Sequence, residues 1–156
     1  MELRPLRPQD FDVLYAVASD PLIWEQHPAK DRCNRDVFEK FFADALDSGG
    51  ALIVTDCGDH RVIGSSRYHG YSAENSEVEI GWTFLARSHW GGRYNREMKQ
   101  LMLLHAFRFV SRVLLVIDHQ NIRSQVAAKK MGAIRAGSRL EPTGRESHIY
   151  LITAPV

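Results

Sequence analysis

The sequence predicts an α+β fold, a mixed α/β chain with a mostly antiparallel central sheet flanked by helices. Three observations carry this. Apolar residues recur at helical spacing in some segments and alternate, or run together, in the segments between them. Two strand pairs are joined by short turns, as in antiparallel hairpins. Finally a strand, a glycine turn, a long helix and an apolar strand follow one another, which makes a βαβ unit and therefore a parallel pair.

The elements follow in chain order. Glu2 to Leu6 makes a short strand. Pro8 and Asp10 open a helix carrying Phe11, Leu14, Tyr15, Val17 and Ala18, and Asp20-Pro21 breaks it. Leu22 to Pro28 is short and aromatic and ends in proline, so it is a helical turn or a loop. Asn34 is placed to cap a second helix, with Val37, Phe38, Phe41, Phe42 and Leu46 at helical spacing, and Gly49-Gly50 ends it. Ala51 to Thr55 and Arg61 to Tyr71 form a hairpin about the turn Cys57-Gly58-Asp59-His60. Glu77 to Leu85 alternates, with Val78, Ile80, Trp82 and Phe84 on one face and Glu79, Gly81 and Thr83 on the other. A glycine turn and a long helix to about Val110 come next. Val113 to Ile117 is wholly apolar, the mark of a strand buried on both faces. Asn121 caps a last helix through Ile122, Val126, Ala127 and Met131, with Lys129 and Lys130 in its last turn and Gly132 after it. Ile134 to Leu140 and Arg145 to Thr153 close the chain as a hairpin around Pro142-Thr143-Gly144.

Bulk properties narrow the function. A chain of 156 residues without repeats or linkers is expected to be one domain, residues 1–156. The formal net charge of +1 gives no global pull toward nucleic acid or an anionic membrane. No apolar run approaches the ~20 residues that span a bilayer, and Met1 to Pro5 offers no signal-peptide core. A cytoplasmic protein is expected, with Cys33 and Cys57 as free thiols; one disulfide is the alternative. The seven histidines are scattered without metal-ligand spacing, so no metal is expected. Walker A, dinucleotide-binding and serine-hydrolase motifs are absent.

The segment Ser88 to Glu97 is the chemically informative one. A strand, a glycine turn and a helix leave backbone N–H groups unpaired at a helix N-terminus, where the macrodipole favours phosphate. Arg87, Arg93, Arg96 and Lys99 add positive charge around the turn. The plainer reading is a simple glycine turn and an exposed basic helix face.

The element order, with two local motifs, resembles the GNAT N-acetyltransferase fold. Trp90-Gly91-Gly92-Arg93-Tyr94-Asn95-Arg96-Glu97 is similar to the acetyl-CoA pyrophosphate loop of that family. Asn121-Ile122-Arg123-Ser124 followed by Lys130-Met131-Gly132 resembles a signature of the ribosomal-protein-alanine and antibiotic acetyltransferase branch. Leu3 to Leu6 with Asp10, Asp20 to Trp24 and Val62-Ile63-Gly64 extend the likeness over nearly the whole chain. Three positions depart from it. Arg93 stands where a second glycine is usual, so it must keep φ negative or carry strain. Ala133 replaces a phenylalanine, and Ala128 occupies the position of a thiolate-protonating tyrosine.

The resemblance implies an acetyl-CoA-dependent N-acetyltransferase acting on a primary amine, a protein N-terminus or a small amine, by direct attack. It assigns the pyrophosphate to the backbone of Gly91, Gly92, Arg93, Tyr94 and Asn95. The pantetheine arm falls to Thr83, Phe84 and Leu85 on one side and Asn121 on the other. Glu79 matches a strand glutamate that serves as base; a solvated strand carboxylate is the alternative. Ser124 matches a helix serine that hydrogen-bonds the thiolate or acetyl carbonyl, or else it caps its helix. Trp24, His27, Tyr68, Trp82 and His148 lie on segments that frame the acceptor cleft. The terminal hairpin leaves an edge through which a homodimer could form. The alternative function is a catalytically degenerate acyl-CoA-binding module, a sensor or partner protein, which the alanine at 128 and the arginine at 93 favour.

Overall fold

The computed structural model describes residues 1–155. Its elements are β1 (Glu2–Pro5), α1 (Phe11–Ala18), α2 (Arg35–Ser48), β2 (Ala51–Thr55), β3 (Val62–Ser72), β4 (Glu77–Leu85), α3 (Tyr94–Ala106), β5 (Arg112–Asp118), α4 (Ile122–Lys130), β6 (Ile134–Leu140) and β7 (Glu146–Thr153). The strands hydrogen-bond in the order β1-β2-β3-β4-β5-β7-β6. The β1–β2, β2–β3, β5–β7 and β6–β7 pairs are antiparallel, and β4–β5 is parallel, as the βαβ pattern requires. The chain divides into two compact units: Met1–Arg67 with Trp82–Met98, and Tyr68–Gly81 with the chain from Lys99 onward.

The first unit is built on an aromatic core. Leu14 and Ala18 from α1, Phe38, Phe41 and Phe42 from α2, Ile53 from β2 and Phe84 from β4 are buried together with Ile23 and Trp24. The i, i+3 and i+4 spacing along each helix places these side chains on one stripe. Each large apolar group so buried stabilises the fold by about 1.5–3 kcal/mol. Gly49 ends α2 in the left-handed region at φ 68. Asn34 precedes α2 as expected, but its side chain does not cap it. The Asn34 amide oxygen instead faces the Cys33 thiol at 3.8 Å, and the helix begins on the Asn34 carbonyl, which accepts from Phe38 N at 2.9 Å. Leu22 to Pro28 starts in a 3-10 turn, Pro21–Ile23, capped by Asp20, and continues as turns and bends, in keeping with the helical turn or loop expected; a second 3-10 turn, Lys30–Cys33, follows it.

β4 departs from the clean alternation its residues suggest. Trp82 has φ 51, in the left-handed region. Reversing the backbone there resets which way successive side chains point. Trp82 and Phe84 both pack on the α1–α2 core of the first unit. Val78, in the second unit, lines a groove with His105 and Phe109. Glu79, on the face expected to be polar, is buried along with Val78 and Ile80, so the strand does not divide into one buried and one open face.

In the second unit β5 lies beside β7 over Arg112 to Asp118. Its ladder with β4 ends at Glu79–Leu114. Val113 and Leu115 are buried while Leu114, Val116 and Ile117 are only half-buried, so β5 is not covered on both faces. α4 starts as predicted, with the Asn121 side-chain oxygen accepting from Ser124 N at 3.2 Å, and Gly132 follows it at φ 85. β6 pairs with β7 through an irregular register at Arg135 to Gly137 and is exposed along its length.

Gly64 is set by a close approach of two backbones. A Cβ added there would lie 2.0 Å from the Phe84 carbonyl oxygen. Gly64→Ala is therefore expected to destabilise the protein by about 1–3 kcal/mol, read as a lower midpoint in denaturant unfolding; an unchanged midpoint would show that β3 and β4 have room to separate.

Candidate functional site

The first unit supplies the glycine turn. Ala86 N donates to Ile63 O at 2.7 Å, and Arg87–His89 forms a 3-10 turn. Gly91 takes φ 70, whereas Arg93 is not among the positive-φ residues. The arginine thus sits without backbone strain where a glycine is usual. The first intrahelical bond of α3 runs from Glu97 N to Arg93 O at 2.8 Å. Among the described residues the amides of positions 91–96 donate to no protein acceptor, the arrangement that receives an anion at a helix N-terminus. The Arg93 side chain is exposed, its Cζ 5.8 Å from the Tyr94 ring centroid.

A buried histidine secures this turn. His89 Nδ1 lies 2.8 Å from Ser88 Oγ and Nε2 lies 3.0 Å from Asp56 Oδ2, and its ring meets the Tyr94 ring edge-on at 4.5 Å. The Gly58 N–H and then His89 hold the Asp56 carboxyl below its ordinary pKa. Nothing in the sequence pattern marked His89, because Asp56 lies 33 positions away. Trp90 is partly exposed, with its Nε1 donating to Leu85 O at 2.9 Å.

The three residues expected along the pantetheine arm have different surroundings. The Thr83 hydroxyl pairs with Ser66 Oγ at 2.8 Å. Phe84 belongs to the buried core, so its side chain is taken and only its backbone remains for a ligand. Leu85 is buried as well. Trp24 is also a core residue at 1% exposure, its indole N–H donating to Ala18 O at 2.8 Å, so it does not line a cleft. The reason is its place after the Asp20-Pro21 turn, which aims the indole back onto α1. His27 stacks edge-on against Trp24 at 5.5 Å, and its Nδ1 accepts from Ala29 N at 3.0 Å. Trp82 remains half-buried with the Arg67 guanidinium 4.6 Å from its ring centroid.

The second unit holds the titratable candidates. Glu79 is 9% exposed. Burial raises its pKa above the ordinary glutamate value, partly offset by Arg139, whose Nη1 lies 3.6 Å from Oε2. Tyr68 donates its hydroxyl to Met102 O at 2.7 Å, burial pushes its pKa up to about 12, and it lines the groove with Val78, His105 and Phe109. Lys99 is buried in this unit, with its pKa pushed down to about 7 by burial, and is not part of an exposed basic face. The Asn121 side-chain oxygen is used by the α4 cap, and it is the Ser124 backbone N–H, not the hydroxyl, that takes part in that cap. Gln125, which the sequence did not single out, organises this end of α4. Its Nε2 donates to Asp118 O and His119 O at 3.2 and 2.8 Å, and its Oε1 accepts from Tyr150 OH at 3.0 Å and faces His148 Nδ1 at 3.3 Å. Ala128 is buried and brings no proton donor.

Among the described residues no group of three His, Cys, Asp or Glu side chains could hold a metal ion, and no helix is long and apolar enough to cross a membrane. Both thiols are free.

The raised Glu79 pKa has a signed consequence. The folded protein binds the Glu79 proton more tightly than the unfolded chain, so this group's contribution is complete below the ordinary value of 4.5 and is lost as pH rises through the raised one. Glu79→Gln is therefore expected to raise the melting temperature at pH 7–8 relative to wild type, with the difference shrinking toward pH 4. A variant destabilised equally at both pH values would mean that the pair with Arg139 outweighs burial.

Comparison with known proteins supplies the family. Residues 1–134 match the model of the acetyltransferase (GNAT) domain. A GCN5-related N-acetyltransferase from Brucella melitensis superposes with a TM-score of 0.83 at 20% identity, over 97% of this chain and 74% of that one. A solved acetyltransferase from T. thermophilus gives 0.76 at 26% identity, over 97% and 84%. The spermidine N-acetyltransferase from Vibrio cholerae, solved with CoA and spermine, gives 0.75 at 14% identity, over 97% and 94%. No curated protein matches the chain. With the family model covering most of its length and the GNAT fold along nearly all of it, the chain belongs to the GNAT family and is an N-acetyltransferase.

Proposed function

We propose that this enzyme, a single catalytic domain, moves the acetyl group of acetyl-CoA to a primary amine by direct attack. The observation that carries the reading is the row of unpartnered amides at 91–96, opened by left-handed Gly91. Gly91, Gly92, Arg93, Tyr94 and Asn95 hold the pyrophosphate through their N–H groups. The backbone of Thr83, Phe84 and Leu85 and the remaining amide N–H groups of Asn121 hold the pantetheine arm. The CoA complex of the Vibrio cholerae relative supports this choice of donor.

Transfer needs a neutral amine beside the thioester carbonyl and a group to take its proton. Glu79 has the chemistry for the second task, because a buried carboxylate with a raised pKa holds a proton nearer neutral pH. Ser124 offers a hydroxyl for the carbonyl or thiolate. A dedicated acid at position 128 is unnecessary, since a thiolate leaves at a far lower pKa than an amine.

Thiol release from acetyl-CoA with a panel of primary amines tests the activity. Glu79→Gln is expected to lower kcat by roughly 10²–10⁴-fold while acetyl-CoA affinity stays within about 2-fold. A parallel fall of both constants, or turnover unchanged at every pH, would remove Glu79 as base. Arg93→Gly is expected to weaken acetyl-CoA binding by about 3–10-fold, as loss of an exposed charge-assisted contact would. Tighter binding would mean that Arg93 only occupies its place.

A further inference from the structure

The first unit contains a guanidinium two of whose nitrogens have lost water without gaining a hydrogen bond. Arg67, in β3 opposite Ala51 of β2, is 6% exposed. Its Nε and Nη2 are buried and make no hydrogen bond. Its Cζ lies 4.6 Å from the Trp82 ring centroid and 5.4 Å from that of Phe41. A second guanidinium, Arg32, reaches the same phenylalanine at 4.6 Å and Trp24 at 5.5 Å. Neither arginine takes part in any salt bridge among the described residues. Asp31 and Asp44 act on them only as distant charges. Burial, and then repulsion from Arg67, push the Arg32 pKa down to about 10.

Aromatic faces satisfy part of this charge, but a ring face does not accept the in-plane N–H bonds of a guanidinium. Nε–H and one Nη–H point in parallel from one edge of that plane, and a carboxylate accepts both at once. The two orphaned atoms of Arg67 are the pair on that edge. A tetrahedral phosphate also accepts such bonds, but nothing beyond the fork favours it here. A polyamine would add positive charge where two uncompensated cations already stand. We propose that Arg67 and Arg32 form a carboxylate-binding subsite lined by Phe41 and Trp82, so that the amine this enzyme acetylates carries a carboxylate, as an amino acid does. This rests on the acetyl-transfer reading for its purpose but not for its chemistry. The Arg67 edge is sealed from water here, so occupancy requires a side chain to yield. Arg32, half-buried on a four-residue turn and repelled by Arg67, is the one suited to move.

Two measurements test the subsite separately from turnover. The first is thermal stabilisation of the wild-type protein by benzoate, against inorganic phosphate and chloride at equal ionic strength. Benzoate is expected to raise the melting temperature saturably and phosphate to do less. Arg67→Lys and, independently, Arg32→Gln should each lose at least 5-fold in benzoate affinity, so that misfolding of one variant leaves the other as evidence. No benzoate effect, or a stronger phosphate effect, overturns the assignment. The second is thiol release with matched amines, such as alanine against ethylamine and phenylalanine against phenethylamine. The carboxylate-bearing member of each pair is expected to have at least 10-fold higher kcat/KM, and Arg67→Lys to reduce that ratio below 3 mainly through KM. Equal use of both members, or a preference for spermidine, sinks the subsite while leaving acetyl transfer standing. Benzoate binding with no amine acetylated would do the reverse.

Discussion

A tryptophan held at φ 51 within β4 is the constraint on which the rest of this structure depends. A bulky side chain in that region costs on the order of 1–3 kcal/mol and persists only where its surroundings over-determine it. Here the Trp82 ring packs against the aromatic core and carries a guanidinium 4.6 Å from its centre. The reversal brings Phe84 into that core within two residues. Two residues beyond Trp82 the Phe84 carbonyl lies so close to β3 that only glycine fits at position 64. The parallel ladder of β4 with β5 has by then already ended at Glu79.

Charge is distributed by the same logic. The exposed arginines near the glycine turn are mostly engaged or free in water: Arg87 pairs with Asp20 at 2.6 Å, and Arg93 is exposed. The unusual cations are the buried ones. Lys99 loses proton affinity to burial, and Arg32 loses it to burial and to a like-charged neighbour. A global net charge of +1 conceals this concentration, because composition counts charges without their dielectric surroundings.

Much of the architecture was legible in the residues. The helical spacing of Phe38, Phe41 and Phe42, the paired signals at Asn121 and Gly132, and the strand–glycine–helix passage through Gly91 each reflect local physics. Local physics survives in sequence. The misreadings share a different cause. The alternation of β4 predicts an open face at Glu79, yet Glu79 is buried, and the positive φ of Trp82 is a backbone angle that no side-chain pattern encodes. The apolar run of β5 implied two covered faces, but only Val113 and Leu115 are fully buried, because an apolar run alone does not say how much of each face the fold covers. Trp24 read as an aromatic near a cleft, yet its N–H found a carbonyl on α1. His89, Gln125 and the Arg67–Arg32 pair were invisible because each is defined by partners distant in the chain.

The central claim is that the amides opening α3 bind the pyrophosphate of acetyl-CoA. Calorimetric titration of the protein with acetyl-CoA, CoA and dephospho-CoA tests it most directly. The account predicts saturable binding of about one molecule per chain for all three, since each retains the pyrophosphate. Absence of heat and of competition with any of them would contradict it.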